Sequence, residues 1–208
     1  MNKYAYTKVV CVLLLLFIVG CGGPGKAPAV RRYYALELER QAQNLQPQSD
    51  TILEIRPFGM SPSFAEKELV YRTGEFSYES DFYNQFVSDA RLQITEQTHR
   101  WLSDSGYFSS VALGGSTLEP THILEGDIAS LYGDFRNKSD AHAVMEIEFF
   151  LIDVKSSKAT VVFSKLYEAR EKVGQAKVEK VVEAYNQCLE QILQVFEGDL
   201  QKISLSKQ

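Results

Sequence analysis

One stripe of apolar residues near the C-terminus limits what this chain can fold into. Val178, Val181, Val182, Tyr185, Leu189, Ile192, Phe196, Leu200 and Ile203 recur at helical spacing. Lys177, Glu179, Glu183, Gln187, Glu190 and Gln194 take the opposite face. A helix of about seven turns with a single apolar side needs an equally long apolar surface to cover it. That surface is a sheet or a second helix. A second helix is expected upstream, because Phe82, Phe86, Ala90, Ile94 and Trp101, flanked by Val87 and Leu102, keep the same period. Ser80 or Asp81 can cap its start, and Ser105-Gly106 ends it.

The remaining apolar runs read as strands. Tyr34, Leu36 and Leu38 alternate after Arg32, and residues 51–58 form a second strand closed by Pro57. Residues 68–78 read as a hairpin around Arg72-Thr73-Gly74-Glu75, and a short strand runs from Tyr107 to Leu113. Another lies within 121–135. Ala143 to Val154 and Ala159 to Tyr167 are joined by Lys155-Ser156-Ser157-Lys158, the clearest hairpin in the chain. Two one-sided helices and these strands predict an α+β two-layer sandwich, with a mixed or antiparallel sheet packed by two long helices. No internal repeat is visible.

The N-terminus is of a different kind. Lys3 and Lys8 precede an apolar stretch from Val9 to Val19, followed by Gly20, Cys21 and Gly22-Gly23-Pro24-Gly25. This is the order of a secretory signal: basic start, apolar middle, small residue before the cut. The apolar run is too short to cross a bilayer core roughly 30 Å thick at about 1.5 Å per helical residue. Expected boundaries are a signal peptide over 1–20, a Gly/Pro tether over 21–31 and one folded domain over 32–205. Losing Lys3 and Lys8 from 22 basic residues, with 27 acidic ones retained, leaves a net charge of about −7. Such a chain is a poor partner for nucleic acid or for anionic headgroups, which reward clustered Lys and Arg. Cys11 leaves with the leader and Cys21 sits at its end, so Cys188 remains alone without a disulfide partner. Cys188 belongs to the C-terminal helix and reads as a buried, inert thiol.

No catalytic pattern emerges. His99, on the exposed side of the first helix, His122 and His142 are too far apart in sequence for metal-ligand spacing. Phosphate-cradling loops and nucleophile elbows are absent from the sequence. Glu146, Glu148 and Asp153 alternate along one strand as water-facing groups do, and Asp127 and Asp134 are also expected to face solvent. The chain reads as a non-enzyme, with no metal and no cofactor. Its unusual segment is aromatic. Tyr71, Arg72, Phe76, Tyr78, Phe82 and Tyr83 crowd thirteen residues, and such residue types are enriched at the centres of docking surfaces. The alternative is that they are core aromatics with hydroxyls at the rim.

Ile18-Val19-Gly20-Cys21 resembles the lipobox of bacterial lipoproteins. The body resembles the ABC-type transport auxiliary lipoprotein family, which includes the PqiC-like lipoproteins. The residues that carry this likeness are Tyr33-Tyr34-Ala35-Leu36, Ile55-Arg56-Pro57-Phe58, Leu69-Val70-Tyr71-Arg72, Trp101-Leu102 and Gly106-Tyr107-Phe108-Ser109-Ser110-Val111. Phe82-Tyr83 departs from the family, whose members often carry a Trp near the start of the first helix. The resemblance implies diacylglycerol and an N-acyl chain on Cys21, and a fold like the N-terminal domain of TolB. It further implies a non-enzymatic docking role in MCE-type lipid transport between membranes. The partners implied are an MCE-domain protein, an ABC permease complex and, as a further option, copies of the same chain. Gly22 after the cysteine favours the outer membrane. A different envelope lipoprotein of similar fold, such as a cell-wall synthase activator or a secretion-channel component, is the alternative.

Overall fold

A computed structural model describes residues 30–40, 47, 49–175 and 177–203. The leader, Cys21 and the tether to residue 29 lie outside the described residues, as does most of the polar stretch 41–50. The described elements are β1 (Arg32–Tyr34), β2 (Ile52–Ile55), β3 (Gly59–Met60), β4 (Glu68–Arg72), β5 (Tyr78–Phe86) and helix α1 (Ala90–Asp104). They continue with β6 (Ser110–Leu113), β7 (His122–Asp134), β8 (His142–Asp153), β9 (Thr160–Lys172) and helix α2 (Val178–Leu200).

The mixed sheet is organised about β7. One edge of β7 pairs antiparallel with β8 from His122↔Asp153 to Asp134↔His142, and β8 pairs with β9. The other edge is shared by three short strands, all parallel to it. These are β2 at Leu53↔His122, β3 at Gly59↔Asp127 and β4 at Arg72↔Asp134. Beyond them the sheet forks, with β6 extending from β2 and β5 then β1 extending from β4. Gly126 permits the fork, because a Cβ there would meet the Phe58 ring at 2.8 Å. The expected strand over 51–58 is therefore interrupted, and Phe58 lies buried on β7 between β2 and β3. The short strand expected from Tyr107 is confined to β6, while Tyr107 and Phe108 are core residues.

The first helix starts later than its spacing predicts. Residues 78–86 form β5, and α1 begins at Ala90, where the Asp89 carboxylate accepts from the Arg91 N–H at 2.9 Å. Phe82, Phe86 and Ala90 are four apart, an interval that satisfies the strand period of two as well as a helical turn. Parallel pairing of β1 onto residues 84–86 decides between them, bringing Tyr34 opposite Phe86. Conversely, the alternation of Tyr34, Leu36 and Leu38 outruns the ladder, which ends at Tyr34. The N–H groups of Leu36 and Leu38 donate to Gln93 Oε1 and Gln97 Oε1 of α1, at 2.8 and 3.1 Å. Glu37 N–H donates to Asn186 Oδ1 of α2 at 3.2 Å. Two glutamines one helical turn apart thus serve this extended segment as a neighbouring strand would.

Both helices pack into one core with β2, β4, β7, β8 and β9. The α2 stripe is buried as expected from Val181 to Leu200, while Val178 and Ile203, the latter beyond the end of the helix, are half-buried against the core. Cys188 lies within the stripe, with burial pushing its thiol up to about 12. Among the described residues, the Tyr185 hydroxyl is a buried side-chain oxygen with no hydrogen-bond partner. Leaving such a group unpaired costs free energy that phenylalanine avoids. Tyr185→Phe is expected to stabilise the fold by about 1 kcal/mol, read as a higher urea midpoint at unchanged m. A lower midpoint would mean that the hydroxyl is paired.

Asp134 does not face water. It is 3% exposed, and its carboxylate accepts from Arg136 Nε and Nη2 at 2.9 and 2.6 Å and from Arg170 Nη2 at 3.1 Å. The Arg136 guanidinium is the main cause holding this carboxyl well below the usual range. Asp127 is exposed as expected, whereas Glu146, Glu148 and Asp153 are half-buried. Glu146 and Glu148 accept from serine hydroxyls on adjoining strands.

Candidate docking surface

The β4–β5 hairpin presents the aromatic segment. Arg72 pairs with Tyr78 across it, and the Thr73 and Gly74 N–H groups close the turn onto Ser77 O at 2.9 and 3.3 Å. Arg72 Nη2 donates to Glu75 O at 2.6 Å, and its guanidinium stacks 5.7 Å over the Tyr78 ring. These bonds brace a turn that holds Phe76 almost wholly in water, at 89% exposure. Tyr78 is half exposed and meets Tyr132 edge-on at 5.6 Å. Phe64 stacks on the same Tyr132 at 5.8 Å.

Tyr71 lies further in. Its ring meets Phe135 edge-on at 5.3 Å, and its hydroxyl donates to Asp81 Oδ2 at 3.3 Å. Gly133 makes room for both rings, since a Cβ there would lie 2.8 Å from Phe135 and 3.1 Å from Tyr71. Burial, then the Asp81 charge, raises the Tyr71 phenol above its ordinary value, so it stays a neutral donor. Beside it a cleft of about 440 Å³ is lined by Tyr71, Asp81 and Phe135 on one side and Lys177, Val178 and Val181 on the other.

At the far end of β5 the ladder is broken. Pairing jumps from Glu68↔Gln85 to Leu69↔Asp81, so Phe82, Tyr83 and Asn84 have no β4 partner. Asp81 Oδ1 accepts from the Tyr83 and Asn84 N–H groups at 3.0 and 3.1 Å. Its Oδ2 accepts from Asn84 Nδ2 at 2.8 Å. Asp81 therefore does bracket backbone donors as a cap would, but it closes a β-bulge. Phe82 and Tyr83 protrude from the bulge at 53% and 47% exposure, edge-on to each other at 5.3 Å.

The six residues singled out in the sequence thus fall into three settings. Arg72, Phe76 and Tyr78 form the turn, Phe82 and Tyr83 form the bulge, and Tyr71 is a half-buried prop between them. Tyr132, Phe64 and Phe135 complete the aromatic cluster. Sequence spacing did not indicate them, because they come from other elements. The histidines stay apart. His99 is half-buried rather than exposed, 3.3 Å from Val111 O, because α1 lies against β6. His122 is buried, which lowers its pKa, with Asp153 opposing from 3.8 Å. His142 Nδ1 sits 2.8 Å from Asp140 O. Among the described residues no group of three or more His, Cys, Asp or Glu is placed to hold a metal ion. No described helix is long and apolar enough to cross a membrane.

A family model described as "ABC-type transport auxiliary lipoprotein component" matches residues 34–195. The chain belongs to that family. The match takes in β2 to β9 and α1 whole, the last residue of β1, and α2 as far as Val195. A solved structure of protein XCC0632 from Xanthomonas campestris superposes on this auxiliary lipoprotein with a TM-score of 0.70. Identity is 17%, over 84% of this chain and 95% of that one. A second, an uncharacterised protein, has a TM-score of 0.64 at 14% identity, over 82% and 99% of the two chains. At these identities the likeness is one of fold, and it extends to the curled mixed sheet with two helices. A PelC dodecamer from Paraburkholderia phytofirmans is matched at a TM-score of 0.44 and 13% identity, over 74% and 90% of the two chains, too remote to argue from. No curated protein matches the chain.

Proposed function

We propose that this family member is a lipid-anchored periplasmic protein of the Gram-negative outer membrane, the non-enzymatic docking component of an MCE-type intermembrane lipid-transport system. Cys21 carries the diacylglycerol and N-acyl chains that hold it there, as two or more chains are needed for stable attachment. The distal end of an MCE-domain assembly, linked to its ABC permease, is the partner. Copies of the chain can share that task as a homo-oligomer. The observation that carries the reading is the match to the auxiliary-lipoprotein family across nearly the whole body. It is supported by a braced turn that exposes Phe76, as docking anchors are presented on rigid supports.

Tyr71 is a poor probe of that surface because its ring also packs against Phe135. Phe76→Asp is the cleaner substitution, as the side chain is 89% exposed. From solubilised envelope, the full-length chain is expected to co-purify the MCE protein and permease. Phe76→Asp should recover them at about one tenth of that yield, the loss of roughly 1.4 kcal/mol, with an unchanged melting temperature. Full recovery with Phe76→Asp would move docking off the turn. Absence of any MCE protein from the wild-type purification would overturn the function itself.

A further inference from the structure

The two ends of the β4–β5 hairpin offer different chemistry, and only one of them adjoins the tether. The unit that carries the sheet and both helices begins at Arg31, directly before β1. The Arg31 guanidinium lies 4.0 Å from the centroid of the Phe82 ring. The aromatic pair on the bulge therefore stands at the point where the chain from Cys21 joins the fold. Nine residues separate Cys21 from Arg31. Fully extended they reach about 30 Å, so this corner of the domain cannot stray further than that from acyl chains on Cys21. The turn carrying Phe76 lies at the other end of β5, where a protein partner is left unobstructed.

From this geometry we infer a second membrane contact: Phe82 and Tyr83 seat in the headgroup–acyl boundary of the bilayer that holds the Cys21 lipid. The inference rests on the proposed acylation of Cys21. Three features of the corner match that medium. Phe and Tyr rings side by side place an apolar body next to one phenolic hydroxyl, the composition that settles at a lipid–water boundary. Asp81 fixes the bulge by hydrogen bonds to the Tyr83 and Asn84 backbone, so little ordering entropy is lost when the rings insert. Arg31, stacked on Phe82, keeps an apolar stem with its charge at the surface, where it can meet a phosphate group. Tyr33, 56% exposed on β1, lies opposite Gln85, two residues along β5 from Tyr83. The attraction comes from aromatic insertion and not from the net charge, which is negative for the chain. A zwitterionic bilayer is therefore sufficient.

Depth-dependent fluorescence quenching tests this on the full-length chain, exported, purified and reconstituted in phosphatidylcholine vesicles with or without brominated acyl chains. Trp101, the single tryptophan, is 6% exposed and supplies the constant background. Phe82→Trp and Tyr83→Trp report on the bulge. Leu166→Trp, 54% exposed on β9, reports on a surface away from it. Mass spectrometry of the N-terminal peptide records acylation of Cys21 in each sample. The expected result is an acylated chain in which the bulge tryptophans lose added emission to brominated lipid, because rings at the lipid–water boundary come within reach of the acyl chains, while Leu166→Trp keeps its emission. Equal quenching at the three positions on an acylated chain would overturn the membrane seat and leave the anchor standing. An unacylated Cys21 would overturn both. The membrane seat also falls if the bulge tryptophans are shielded from acrylamide by added protein, without vesicles. Shielding that grows with concentration of this chain would assign the patch to a second copy, and shielding that requires the transport partner would assign it to that partner.

Discussion

Glu197→Ala is expected to remove about 3 kcal/mol of folding stability, because it leaves a largely buried guanidinium without its counter-charge. Arg40 forks onto Glu197 at 2.5 and 3.1 Å, with side-chain exposures of 12% and 14% for the pair. Trp101 Nε1 donates to the same carboxylate at 2.8 Å, and the Arg40 guanidinium lies 4.5 Å over the Trp101 ring. One carboxylate thus ties the extended segment 35–40 to both helices. Alanine strands an arginine charge and an indole N–H inside the contact between α1 and α2. Urea unfolding followed by circular dichroism should show a lower midpoint at constant m. Glu197→Gln, which keeps acceptor geometry for the indole, should recover part of the loss. A Glu197→Ala loss below about 1 kcal/mol would place this group among ordinary surface pairs.

Phe196→Ala should cost a similar amount, about 3–5 kcal/mol, for a different reason. Phe196 is fully buried and stacks on Phe149 at 4.3 Å, with Tyr167 edge-on at 5.7 Å. It is the point where α2 locks onto β8 and β9. Deleting the ring removes its transfer free energy and leaves a cavity whose walls, built of two strands and a helix, cannot close in. The melting temperature should fall by roughly 10 °C for a domain of this size, and Phe196→Leu by much less. Near-equal melting of the alanine and leucine variants would show that the walls collapse after all.

Legibility in the sequence followed the range of the interactions involved. The α2 stripe and the β8–β9 hairpin were readable because an uninterrupted period of 3.6, or two apolar runs around Lys155-Ser156-Ser157-Lys158, admit one local solution. Residues 80–90 were not, since a spacing of four agrees with both periods and only β1, fifty residues away in sequence, supplies the pairing. Asp81 illustrates the same limit at one side chain. It was recognised as an acceptor for backbone N–H groups, and it is one, but whether it opens a helix or braces a bulge depends on which strand lies alongside. The aromatic segment could be singled out by composition alone. Its division into a turn, a prop and a bulge needed Phe135, Tyr132 and Arg31, none of which lies within it.

By itself, then, the sequence determined the helix that must be covered, the hairpin that helps cover it, and a body with one cysteine that must hold together without disulfides. These follow from local periodicity and residue inventory, which act within a turn of helix or across a hairpin. Only the tertiary structure decided that the sheet forks at β7, that glutamines of α1 take the place of a strand beside residues 36–38, and that Asp134 is buried between two arginines. In each of these a backbone or a charge removed from water took whichever partner the folded chain brought within reach, and that partner lay tens of residues away for the backbone groups and for Arg170.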